Sequence, residues 1–358
     1  MKPPRARRVA LYLLPGLGDA MVASPLMRAL SARGDRVDAI TMLPAVSEYA
    51  RALNIFERVI EIPLLRPSAR LAMPALRVAA GAYDVAVLPF PATRWQYAAA
   101  SFLTPTARVV SHDYGGLSGA LLRLRGATLV PLEGGHRIAE NARLARVVAE
   151  PAAIGMYLVP QSWHAERGDA VAIHPGTMAY KGNEVRRWPM AQFTALALTL
   201  ADEGVPVRFL IGPNEPEPDA AVVQHPRIDL IRLPLDAAAR SIASSAAFVG
   251  NDAGMTHVAA GLGVPTVAIF GMTDPMRAAP IGPTIVVRPS SCPPCHDEGS
   301  VTFECVRDIG YRCIAQDVQL ADVLAAVRRA RTQNLPPLDP QERSDFALYG
   351  ERRLAGVL

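Results

Sequence analysis

Apolar residues in this chain gather into short unbroken runs instead of alternating with polar ones. In the first half the runs fall at Val9–Leu14, Val37–Met42, Val59–Ile62, Val85–Phe90 and Arg108–Ser111, with helical segments such as Met21–Ala32 and Pro74–Ala80 between them. Runs apolar on both faces that alternate with helices predict parallel strands covered on both sides. A Pro- and Gly-marked passage, Pro151 to about Gly168, interrupts the rhythm. It restarts with runs at Ala170–Ile173, Val205–Ile211, Ile228–Arg232, Ala246–Val249, Val264–Phe270 and Thr284–Val287. The pattern predicts an α/β protein of two doubly wound parallel-sheet domains, residues 1–155 and 156–335, with a ligand cleft between them. A helix is expected at Leu320–Arg331. After Pro336-Pro337, the run Asp339-Pro-Gln-Glu342 carries the cap, proline and capping acid of a last helix within 336–358.

In open α/β sheets ligands bind at the carboxyl ends of the strands, so the loops after each run hold the candidate chemistry. The richest stretch is Phe248–Pro275, FVGNDAGMTHVAAGLGVPTVAIFGMTDP. Its strand breaks at Gly250-Asn251-Asp252-Ala253-Gly254 and resumes as a small-residue helix from about Met255. Free N–H groups at that helix start favour an anion such as a diphosphate. Asp252 then either accepts sugar hydroxyls or caps the helix, and His257 is either a ligand contact or a packed first-turn residue.

The first loop, Pro15-Gly-Leu-Gly-Asp19, has Gly16 and Gly18 but Met21 where a dinucleotide fingerprint needs a third glycine. Nicotinamide binding is disfavoured. Asp19 on its glycine turn is a candidate general base, with helix capping as the alternative. Arg94 follows the fourth run, His112-Asp113 the fifth, and His136 opens a helix reaching about Val148. The loop from His174 to Pro189 gathers Thr177, Lys181, Arg186 and Arg187 ahead of a helix at Met190, a set suited to a leaving phosphate. Glu215 and Glu217, after the Val205–Ile211 run, are candidates for gripping ribose hydroxyls or for a simple turn.

The chain has 358 residues, half of them hydrophobic and 20% charged, enough for a substantial core in each half. Its 37 basic and 33 acidic side chains give +4, with a pI near 9.0. That balance suits an anionic substrate or membrane surface and does not suggest nucleic acid. The basic start MKPPRARR precedes an apolar run that Pro15, Gly16, Gly18 and Asp19 interrupt, so it reads as a strand and not a signal peptide. The charge-free stretch Ala253–Thr273 is too rich in glycine to be a membrane span. A cytoplasmic protein is expected. All four cysteines, Cys292, Cys295, Cys305 and Cys313, lie in one segment whose first two have C-x₂-C spacing. Four thiolates suit a tetrahedral metal, two disulfides being the alternative.

Several of these elements together resemble glycosyltransferase family 9, the ADP-heptose:lipopolysaccharide heptosyltransferases. They are Gly18-Asp19 with Ser24-Pro25, Tyr83-Asp84, the His136 helix, His174-Pro-Gly176 with Arg186-Arg-Trp188-Pro189, and Asp252-Ala-Gly254-x-x-His257 followed by Pro265 and Phe270-Gly271. The resemblance runs from about Val9 to Val327. It implies a GT-B fold of two Rossmann-like domains, with the acceptor on the first, the nucleotide-sugar on the second and the last helix packed back on the first. It implies Asp19 as base next to Gly18, Arg186 in place of a phosphate-binding lysine, and Thr177 on phosphate. It also implies Asp252, Ala253, Gly254 and His257 on the donor, and Glu215 or Glu217 near the ribose. No catalytic metal is implied. A four-cysteine iron site is associated with the protein-modifying autotransporter branch, and zinc suits the same ligands.

The expected partners are an ADP-sugar and a glycolipid, protein or small-molecule acceptor at the inner face of the inner membrane. A non-catalytic nucleotide-sugar-binding module is the alternative from another class, and the presence of both Asp19 and Asp252 favours an enzyme. The chain departs from the family pattern at Leu14-Pro15-Gly16 (a basic residue is usual), at Ser24-Pro25 (Thr-Pro) and at Ala253 (Ser or Thr).

Overall fold

The computed structural model describes residues 5–65, 71–149, 155–177, 183–212, 215, 217–296, 305, 307–333 and 335. Lys181 and the expected helix within 336–358 lie outside the described residues. The chain divides into two compact units, Met1–Pro160 and Gln161–Leu358.

In the first unit the elements run β1 (Arg8–Leu13), α1 (Leu17–Val22), α2 (Ser24–Ala32), β2 (Arg36–Thr41), α3 (Pro44–Leu53), β3 (Arg58–Glu61) and α4 (Ala72–Ala79). They continue with β4 (Val85–Leu88), α5 (Trp95–Ala100), β5 (Arg108–His112), α6 (Gly116–Leu124), β6 (Thr128–Val130) and α7 (Arg137–Val148). In the second, β7 (Val171–His174), α8 (Met190–Asp202), β8 (Val207–Leu210), α9 (Ala220–Gln224), β9 (Ile228–Ile231) and α10 (Leu235–Ala243) come first. β10 (Ala247–Asn251), α11 (Gly254–Gly261), β11 (Thr266–Ile269), α12 (Pro275–Ala278), β12 (Thr284–Val287) and α13 (Leu320–Thr332) follow.

Each unit has a six-stranded sheet, ordered β3-β2-β1-β4-β5-β6 and β12-β11-β10-β7-β8-β9, and every strand pair is parallel. Both orders are the doubly wound one, which reverses direction between β1 and β4 and between β7 and β10. The loops after those four strands therefore flank each unit's switch point, where such sheets bind ligands.

The unbroken apolar runs are explained by burial on both faces. Ala10 and Tyr12 of β1 point into one core cluster, while Val9, Leu11 and Leu13 are buried on the other face. In the second unit Val249 and Phe209 share a core with Phe193 of α8 and Val323 of α13. Each such side chain contributes about 1.5–3 kcal/mol by leaving water.

Two elements differ from expectation. The helix predicted over Met21–Ala32 is two helices broken at Ala23, whose φ/ψ of −78°/1° ends the first. Pro25 supplies no N–H in the first turn of α2, and Ser24 Oγ donates back to the Met21 carbonyl at 2.6 Å while accepting from the Leu158 amide at 2.8 Å. Ser24-Pro25 thus ties the end of the first unit to the helix break. The sixth strand, Thr128–Val130, was not predicted because three residues at a sheet edge leave too short an apolar run.

Candidate active site

In the first unit the candidate residues begin in the loop leaving β1. Gly16 caps α1, and Asp19, third in that helix, accepts the Gly16 amide on Oδ2 at 3.0 Å. That is the acidic half of a capping box. Its other oxygen, Oδ1, accepts from Arg137 Nη1 at 3.2 Å. The Asp19 side chain keeps 20% exposure, with one carboxylate oxygen on the Gly16 amide and the other on Arg137. The capping role is present, and it leaves the side chain partly exposed. Gly18 sits immediately before it in the same turn.

Arg137 was not singled out in the sequence, which pointed to His136. The structure turns His136 inward: it is 3% exposed and accepts the Ile138 amide as the cap of α7. Arg137 opens the helix beside Asp19. Asn141, one turn later and fully buried, donates to the Val22 and Phe90 carbonyls at 3.2 and 3.1 Å and accepts the Phe90 amide at 2.9 Å. These bonds pin α7 to the loops after α1 and β4 and so fix where Arg137 stands. Arg94 is the residue before α5, half-buried, in the loop after β4. His112 is fully buried between the Val130 and Glu140 carbonyls at 3.1 Å, and burial lowers its pKa. It is a packing residue.

In the second unit the candidate residues lie on three loops. His174, at the end of β7, meets the Glu215 carboxylate at 3.2 Å. Glu215 also accepts the Gly212 amide at 2.8 Å. Burial works against the Glu215 carboxylate, but His174, the Gly212 amide and Arg187 outweigh it and hold the acid below its ordinary value. A Cβ at Gly176 would overlap the Glu215 carboxylate, so the glycine of His174-Pro-Gly176 makes room for that side chain. Glu217 lies apart from this cluster, exposed and paired with Arg232. Glu215 is the acid directed at the switch point.

Thr177 is buried, and its hydroxyl accepts from Arg187 Nε at 2.9 Å. Arg186, at the end of the 3-10 turn Asn183–Arg186, forms an ion pair with Asp252 and also donates to the Asp252 carbonyl at 3.1 Å. Asp252 itself is 6% exposed. Ala253 is the N-cap of α11 in extended conformation, and no side chain caps that helix. Gly254 begins it, and His257 is buried in its first turn. With alanine at 253 no side chain caps α11, and the Thr256 amide turns back to the Ala253 carbonyl at 3.1 Å.

A buried hub missed in the sequence holds these loops together. Asn251, fully buried, donates to the Pro175 carbonyl at 2.6 Å and accepts the Trp188 amide at 2.9 Å. The Asn side chain next to Asp252 was visible, but its partners are 63 and 76 residues away.

The four cysteines line one pocket with Met272 and Tyr311, and Val185, next to Arg186, forms part of the wall. None is in a disulfide. Backbone amides of Tyr311, Ile309, Arg307 and Gly310 converge on the Cys305 sulfur and lower its pKa. The loop achieves this with Asp308, Gly310 and Tyr311 at positive φ of 51°, 60° and 59°. Burial, with Cys292 beside it, pushes the Cys313 thiol up to about 11. Among the described residues no three His, Cys, Asp or Glu side chains are already drawn together at metal-binding distance.

Residues 149–304 match the family model described as Glycosyltransferase family 9 (heptosyltransferase). The chain carries a glycosyltransferase family 9 domain, and the protein is a glycosyltransferase. Solved structures share its fold at low identity. One is the E. coli ADP-heptose lps heptosyltransferase II, 19% identical with a TM-score of 0.66, covering 90% of this chain and 98% of that one. Another is the E. coli heptosyltransferase WaaC with ADP-2-deoxy-2-fluoro heptose, 19% identical with a TM-score of 0.64, covering 79% and 93%. A third is the iron-containing dodecameric glycosyltransferase TibC from enterotoxigenic E. coli H10407, 14% identical with a TM-score of 0.58, covering 93% and 79%. No curated protein sequence matches. The fold of this glycosyltransferase is GT-B. No described helix is long and apolar enough to cross a membrane.

Proposed function

We propose that this glycosyltransferase moves a heptose, or a closely related sugar, from an ADP-sugar to a hydroxyl of a lipopolysaccharide-core acceptor, inverting the anomeric carbon. The observation that carries this reading is the uncapped start of α11 beside the Arg186–Asp252 pair, at the switch point of the second sheet. Support for the nucleotide-sugar comes from similar structures, one of them described with ADP-2-deoxy-2-fluoro heptose.

In this scheme the second unit takes the donor. The first amides of α11 and the Arg186 guanidinium hold the diphosphate, Glu215 accepts from the ribose hydroxyls, and Asp252 with His257 faces the sugar. The first unit, about residues 1–155, takes the acceptor. Asp19 removes the proton from the acceptor hydroxyl as its oxygen bonds the anomeric carbon, and the bond from that carbon to the diphosphate oxygen breaks. ADP departs with its charge met by Arg186 and the helix amides, so the scheme needs no catalytic metal. Screening the purified chain against nucleotide-sugars tests it. ADP release from ADP-heptose that accelerates with a core acceptor is expected, with one anomer inverted by NMR. Turnover confined to UDP- or GDP-sugars would sink the donor assignment.

A second reading, with a protein as acceptor, rests on the resemblance of the four-cysteine segment to that of the protein-modifying autotransporter branch; TibC, described as iron-containing, shares the fold. Four sulfurs around one pocket, one of them already cradled by four amides, fit iron or zinc by the chemistry of the donor set. Cys292, Cys295, Cys305 and Cys313 would hold the ion, whose role is to staple the loop beside Arg186. Protein purified under reducing conditions is expected to carry about one metal ion per chain at such a tetrahedral site, by elemental analysis. Folded protein with intact thiols and neither zinc nor iron excludes it.

A further inference from the structure

Large hydrophobic side chains that face solvent are not scattered over this protein. Nine are exposed among the described residues, and six of them, Met73, Leu76, Trp95, Phe102, Leu117 and Leu124, fall on one group of neighbouring helices in the first unit. Trp95 and Phe102 stand seven residues apart along α5 and the 3-10 turn Ser101–Leu103 that continues it. Leu117 and Leu124 have the same spacing on α6. Seven residues is two helical turns, so each pair forms a stripe along one face.

Two hydrogen bonds bring the stripes alongside each other. Ser118 Oγ at the start of α6 donates to the Thr93 carbonyl, just before Trp95, at 2.8 Å. Arg125 at its end donates to the carbonyls of Thr104, Pro105 and Ala107 at 2.6, 2.9 and 3.1 Å, just after Phe102. The inner faces are accounted for: Tyr97, Ala98 and Leu122 are buried in the core. The outer apolar stripes therefore have no packing role within the unit.

The charge of the same region is one-sided. The described residues 71–127 contain five arginines and two aspartates, and no lysine or glutamate. Arg77 and Arg108 are exposed. Asp113, one of the two acids, is occupied by Arg123 at 2.9 Å. The starts of α5 and α6, with Trp95 and Leu117, lie at the carboxyl edge of the sheet that also carries Asp19.

Exposed Trp, Phe and Leu on helices whose charged side chains are mostly arginine is the combination that seats a protein in the headgroup region of an anionic bilayer, where the rings bury and the cations meet phosphate. We infer that the face formed by α4, α5 and α6 docks this protein on an anionic phospholipid surface. Charge complementarity selects that occupant over a second copy of the chain, which would bring the same arginines against each other. The inference stands without the donor and acceptor assignments above.

The molecule carries its own probe. Of its three tryptophans, Trp163 and Trp188 are buried and Trp95 is 49% exposed. With the full chain and vesicles of mixed phosphatidylglycerol and phosphatidylethanolamine, co-sedimentation and a blue shift of Trp95 emission are expected. Trp95→Phe removes the shift, and vesicles of phosphatidylcholine alone give neither signal. Leu117→Asp with Leu124→Asp, at positions 60% and 77% exposed, leaves the fold intact by circular dichroism. Each is expected to weaken vesicle binding about tenfold or more. Failure of the wild type to bind anionic vesicles overturns the inference, as does equal binding by the double variant. A wild-type dimer that ignores vesicles and that the double variant dissociates overturns it in favour of self-association.

Discussion

Asp19→Asn lowers turnover about a thousandfold, the middle of the range for loss of a general base, or about 4 kcal/mol of barrier. The substitution is nearly isosteric. Its amide oxygen still accepts the Gly16 N–H that closes the first turn of α1, so the helix start survives. What disappears is the charge opposite Arg137 and with it the basicity of the carboxylate. Because the donor contacts are assigned to the second unit, KM for the ADP-sugar stays near wild type while kcat falls. A folded Asp19→Asn protein with full turnover would remove Asp19 from the mechanism. The same measurement on Arg137→Gln reads the neighbour separately, through the pH profile of kcat.

Arg186→Ala is expected to reduce kcat/KM for the donor by about 10²–10³-fold, the effect of removing one charge-stabilising donor from a transition state. It has a second consequence that must be separated from the first. Asp252 is buried and loses its ion pair, at a cost of about 3 kcal/mol in stability. Arg186→Ala with Asp252→Ala removes both charges and recovers much of that stability. If Arg186 serves the diphosphate, the double variant regains its melting temperature and not its activity. Recovery of both would make the pair a structural clip and would leave the α11 amides as the main anion contact.

The Arg186–Asp252 contact also changes how the donor half-site is understood. Sequence spacing assigns the arginine to phosphate and the aspartate to sugar hydroxyls as independent contacts. In the structure each is the other's partner, so on the proposed reading an ADP-sugar meets a neutralised pair beside a helix with no side-chain cap. An ADP-sugar that drew Arg186 to its phosphates would release Asp252 toward the sugar, coupling the two contacts. A double-mutant cycle in donor affinity measures that coupling directly.

The sequence by itself determined the architecture. Eleven of the twelve strands among the described residues are legible, because burial on both faces forces continuous apolar runs that glycine and proline terminate. It also picked out the candidate loops, since Asp19, Thr177, Glu215 and Asp252 all follow strands whose positions are clear. Spacing within a loop, such as Gly176 three residues after Ile173, is local and survives in one dimension.

What only the tertiary structure decided is everything that depends on strand order and on partners distant in the chain. The reversals beside β1 and β7 come from packing, and they select the four loops at the switch points from among many. Arg137 reaches Asp19 across 118 positions, and Asn251 joins loops 63 and 76 positions away. Glu215 and Glu217 differ by two residues, yet one is buried against His174 and the other is held at the surface by Arg232. Periodicity reports which face of an element is buried. Which side chains meet across that burial is fixed by the fold.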